Sequence, residues 1–155
     1  MHVLAALLVL SISAEPAEEE QKKYEAAARS AINATASAID ACTGRYIEEN
    51  PEGSGDAKVS VKVIKGGVVG SATVDTALPQ ARSLRECLER IAKGWRFPAP
   101  QTDKPDDLSL KIPVKKGAKF KLYGPGEQPP AEQAKEPEGF LQFTPQFLRT
   151  YGDGK

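Results

Sequence analysis

The sequence predicts an α+β fold: a small antiparallel sheet of three to four strands in β-β-α-β order, covered by a long N-terminal helix and a second helix. Three observations carry that prediction. Apolar residues recur at three- and four-residue steps from Glu18 to Glu49, and again from Leu84 to Trp95, which is the spacing of one helix face. Valines alternate with polar residues on either side of Gly66-Gly67, the pattern of a hairpin. A second alternating run, Leu108, Leu110, Ile112 and Val114, follows the second helix and reads as a further strand.

The 155-residue chain opens with MHVLAALLVLSISA. Val3 to Ile12 form an apolar run too short for a bilayer span of about 20 residues, and small residues follow it. Residues 1–14 are therefore expected to be a Sec-type signal peptide, although the run has no Lys or Arg before it. A buried N-terminal helix is the other reading. Export predicts a periplasmic or secreted protein without a stable membrane anchor. Cleavage would also remove His2, the only histidine. A chain without histidine has no Ser-His-Asp or Cys-His nucleophile system and almost no route to a zinc site.

The first helix is expected over Glu18 to Glu49. Tyr24, Ala28, Ala31, Ile32, Thr35, Ala38, Ile39, Cys42 and Tyr46 make its stripe, and three glutamates stand at its start, where the helix dipole favours anions. Asn50-Pro51 ends it. Val59, Val61 and Val63 form the first strand; Val68, Gly70, Ala72 and Val74 form its return. Ser83 and Glu86 have the spacing of a capping box. Leu84, Cys87, Leu88, Ile91 and Trp95 then fall on one helical stripe, and Pro98 and Pro100 end the helix. Pro113 lacks an amide proton, so the Leu108–Val114 strand lies at an edge or ends there. Phe120, Leu122 and Tyr123 suggest a short fourth strand. The domain thus spans 15–123, and 124–155 form a Pro-rich linker and an aromatic tail.

Two cysteines, Cys42 and Cys87, allow one intrachain pairing. In an exported protein the even count points to a disulfide; the alternative is two buried free thiols. Both fall on apolar helix stripes, so a bond would fasten helix to helix across the sheet. Trp95 and Phe97 would plug one end of the core beneath it.

Cys42 with Arg45, Tyr46 and Pro51, the Val-x-Val strand, the Gly-Gly-Val hairpin, Cys87, and Trp95-Arg96-Phe97-Pro98-Ala99-Pro100 resemble the TonB-like C-terminal domains. The likeness is greatest to the myxobacterial AgmX/PglI type, and it covers about Ile39 to Val114. It implies a small periplasmic β-β-α-β module that joins partners by strand addition at a sheet edge. The chain departs from that family in its short apolar start and in carrying its Pro-rich segment at the C-terminus.

The expected function is that of a non-enzymatic envelope adaptor that binds a protein partner. A component of an energy-transducing or gliding-motility machine is the alternative. A carboxylate-based cell-wall hydrolase is a third reading, disfavoured because pairs such as Asp106-Asp107 and Glu48-Glu49 read as solvated charge. Lys plus Arg equals Asp plus Glu, 21 of each, so no net field favours nucleic acid or anionic lipid. No cofactor or metal is expected. The candidate binding surfaces are the edge strand Leu108, Leu110, Ile112 and Val114, and a docking tail carrying Phe140, Phe143, Phe147 and Tyr151. Self-packing of that tail is the alternative. Lys58, Lys62, Lys65, Lys111, Lys115, Lys116, Lys119 and Lys121 make either a basic face for an acidic partner or the solvated side of the sheet. Asn33-Ala34-Thr35 matches a glycosylation sequon inside a helical pattern and is discounted.

Overall fold

A computed structural model describes residues 15–99, 106–127 and the backbone of 142–143. The expected signal peptide, Pro100, Phe140, Phe147 and Tyr151 lie outside these residues.

Three helices cover one face of an antiparallel sheet. The elements run α1 (Glu15–Asn33), α2 (Ala36–Glu49), β1 (Gly55–Ile64), β2 (Val68–Asp75), α3 (Arg82–Lys93), β3 (Asp106–Val114) and the two-residue β4 (Gln142–Phe143). The strand order is β2-β1-β3-β4. The β-β-α-β core and the Cys42–Cys87 disulfide between α2 and α3 are both present, with Cα atoms 6.0 Å apart.

Alternation decides which side chains meet the helices. Ala57, Val59, Val61 and Val63 of β1, and Leu108, Leu110, Ile112 and Val114 of β3, all point inward and are buried. Leu84, Leu88 and Ala92 of α3 and Ile39, Cys42 and Tyr46 of α2 close over them. Full burial of a side chain such as Leu88 is worth about 1.5–3 kcal/mol, and this shared core positions every surface described below.

The first helical pattern is two helices rather than one, and the break has a tertiary cause. Thr35 N–H bonds the Ile32 carbonyl in place of a partner four residues back. Thr35 Oγ1 also donates to that carbonyl at 2.8 Å, while accepting the Trp95 indole N–H at 2.9 Å. Beside it, the Asn33 amide bonds both backbone groups of Leu122: Nδ2 donates to the carbonyl at 2.9 Å, and Oδ1 accepts the N–H at 2.8 Å. The sequon asparagine is thereby committed to the fold.

The same contact corrects the fourth-strand expectation. Phe120 and Leu122 are buried, but residues 118–124 form no strand. Their backbone is satisfied by helix side chains, Asn33 at Leu122 and Asp40 Oδ1 at the Phe120 N–H (2.8 Å). The fourth strand comes from the tail, where Gln142–Phe143 pair antiparallel with Ser109 and Leu108.

Two local expectations also change. Between Lys62 and Val63 the β1–β2 register slips by one residue, so Gly70 forms a bulge. Val69, Ala72 and Val74 therefore face inward, while Val68 and Gly70 face out. The connection has three residues, Lys65 to Gly67, with positive φ at Gly66 and Gly67. At α3 the cap position is Ala81, and no side chain caps the helix. Glu86 instead receives Arg82 Nε at 2.9 Å, so Ser83 is already inside the first turn.

Candidate interaction surfaces

The Trp-x-Phe-Pro exit is a lock between α3 and the hairpin. Gly94 N–H and Trp95 N–H bond carbonyls of the last helical turn, which turns the chain out. Trp95 and Phe97 are buried, with ring centroids 6.2 Å apart at 80°. That is the edge-to-face geometry aromatic pairs prefer. Phe97 N–H then bonds the Gly67 carbonyl at 2.9 Å, and Arg96 bridges Val68. A side chain at Gly67 would overlap the Phe97 carbonyl, so this crossing requires glycine. Pro98 continues the exit half-buried.

The predicted edge strand, β3, has one neighbour along its whole length and a second over only two residues. It pairs with β1 from Asp106 to Val114. On its other side Leu108 and Ser109 face Phe143 and Gln142. Among the described residues nothing pairs with that side from Leu110 to Val114. The side chains of Leu108, Leu110, Ile112 and Val114 are core groups, so this strand offers a partner backbone and the outward residues Lys111 and Pro113 rather than an apolar surface. The tail residue Phe143 contributes backbone pairing to the chain's own sheet.

Six of the eight lysines divide between two places, while Lys65 sits in the hairpin connection and Lys121 lies over the Tyr123 ring. Lys58, Lys62 and Lys111 stand exposed on the outer sheet face among Ser60, Ser71 and Thr73. Acids accompany them: Asp75 lies opposite Lys58, Asp107 opposite Lys62, and Lys111 Nζ sits 3.6 Å from Asp56 Oδ2. That face is the balanced, solvated side of the sheet. Lys115, Lys116 and Lys119 lie beyond β3, on a loop beside the C-terminal half of α2.

Asp106 departs from the solvated pair expected of it. It begins β3 on the inward side and is buried, extending the Leu108–Val114 alternation by one step. Burial raises its pKa above the ordinary carboxylate value; the Tyr24 hydroxyl opposes this by hydrogen bonding, and neighbouring Asp107 adds to the rise. The extension is visible in the sequence, since Asp106 shares the parity of Leu108, but charge argued against placing it inside. A raised carboxyl is one half of acid–base machinery. Its neighbour here is the Tyr24 hydroxyl of α1.

Among the described residues, no three His, Cys, Asp or Glu side chains are arranged to hold a metal ion. None of the described helices is long and apolar enough to cross a membrane. The disulfide is consistent with an extracytoplasmic location. No family model matches the chain, and no curated protein or solved structure matches it.

Proposed function

We propose that the chain is an exported, non-enzymatic adaptor of a bacterial envelope, of the TonB C-terminal type, and that it takes a partner strand along β3. The observation that carries this reading is the half-covered edge. From Leu110 to Val114 the outer side of β3 has no partner among the described residues, and the pairing of the chain's own Gln142–Phe143 with Leu108–Ser109 supports strand addition on that side. Backbone pairing at such an edge gives affinity, and side-chain pockets give selectivity. The helix-to-helix disulfide and the Trp-x-Phe-Pro lock support the family resemblance. They hold the sheet rigid from behind, so a strand adds to it without reorganising the core.

Photo-crosslinking residues placed at Ser109, Lys111 and Pro113, one at a time in intact cells, test the proposal. The expected result is capture of one envelope protein from Lys111 and Pro113, with weaker capture from Ser109, where the chain's own strand sits. Capture from none of the three, or from the tail alone, overturns it.

A further inference from the structure

A groove of about 430 Å³ runs between the C-terminal half of α2 and the loop after β3. Gly44 and Ile47 of α2 are on one side, and Lys116 and Lys119 on the other. Gly44 is the anomaly. It lies in the interior of α2, where glycine costs about 1 kcal/mol relative to alanine, and it is exposed. A Cβ built there meets nothing within 4 Å, so no contact within the chain demands its absence. The fold gives up helix stability for an open strip of helix surface on the groove wall.

Charge indicates what lies there. Between Lys111 and Lys121 the chain has five lysines and no acid. Lys111 is matched by Asp56, and Lys121 lies over the Tyr123 ring at 5.3 Å. Lys116 and Lys119 are exposed on the groove rim. The opposite wall is not basic: Asp40, which holds the Phe120 N–H, and Glu48 line it. A phosphate polymer carries charge at every unit and would set part of it against these carboxylates, whereas a peptide can place its few acids at the lysine rim alone. A polypeptide finds carboxylate acceptors for its amides, a half-buried Ile47 for an apolar side chain, and lysines for its own acids.

We propose that this groove binds an extended acidic peptide segment of a partner protein, its backbone passing over Gly44 and its carboxylates meeting Lys116 and Lys119. The surface is separate from the β3 edge, so the two proposals fail independently. The test is fluorescence anisotropy at low salt, with the full chain and a fluorescein-labelled peptide, Ser-Glu-Leu-Ser-Glu-Leu-Ser-Ser, whose two acids match the two lysines. Saturable binding is expected, weakened at least about tenfold, or about 1.4 kcal/mol, by Lys116→Glu with Lys119→Glu. Gly44→Leu is expected to weaken it as much while leaving the thermal midpoint unchanged or higher, because the new side chain enters open space. Absence of saturable binding overturns the proposal. So does a Gly44→Leu protein that binds normally, or inorganic polyphosphate competing equally well in both proteins.

Discussion

Cutting the covalent link between α2 and α3 should cost the domain a large part of its stability. Cys42 and Cys87 are 45 positions apart. Closing a loop of that size removes about 13 cal/mol/K from the unfolded ensemble in the chain-entropy model, or about 4 kcal/mol at 25 °C. Small domains have about 5–15 kcal/mol in all. With a urea slope near 2 kcal/mol/M, the unfolding midpoint of Cys42→Ala with Cys87→Ala should fall by about 2 M. Alanine leaves a small void at buried Cys42 and less at half-buried Cys87, so the variant mixes two effects. Unfolding the unaltered chain with and without reductant isolates the link itself. The slope should also rise when the link is cut, because the freed unfolded chain exposes more surface. A loss below about 1 kcal/mol in both experiments would refute the reasoning; packing alone would then hold the two helices together.

Two further outcomes follow from single residues. Gly67→Ala places a methyl group on the Phe97 carbonyl at a positive φ and should cost at least about 2 kcal/mol in urea unfolding. Gly66→Ala, also at positive φ but facing open space, should cost clearly less; equal losses would mean that the crossing is unimportant. Asp106→Asn should raise the thermal midpoint at neutral pH and lose that advantage in acid. The folded state holds the Asp106 proton more tightly than the unfolded chain, whose value is near 3.8. Below that value both states are protonated and nothing is lost; as pH rises through the folded pKa, ionising a buried carboxyl costs stability. A gap between variant and parent that is independent of pH would contradict this.

The elements built on period were legible in the sequence. Val59 to Val63, Leu108 to Val114 and Leu84 to Leu88 all turn the expected face inward, because binary pattern alone decides which side is dry. The cysteine pairing was legible from parity and stripe position. What escaped depends on partners far along the chain. Thr35 reaches Trp95 and Asn33 reaches Leu122, separations that no local window spans, so the helix break and the lost strand share one origin. The Gly70 bulge escaped because Val68 and Val69 are both apolar and either phase fits the return strand. Pro113 and the alternation before it pointed to a strand paired fully on one side only, and β3 has β1 along its whole length and β4 over two residues. Gly44 was visible as a glycine inside a helical pattern, where another backbone could approach; the lysine loop that faces it is a tertiary neighbour that no local pattern indicates.

The double bond between Asn33 and Leu122 has a consequence for behaviour in a crowded compartment. Phe120 to Tyr123 follow the end of β3 as an extended segment, and free backbone groups on such a segment can pair with another chain. One asparagine occupies both directional groups of the central leucine, and Asp40 occupies the amide two places before it. Two polar side chains from the helices behind it thus leave neither backbone group of Leu122, nor the Phe120 amide, to pair with a strand of another molecule.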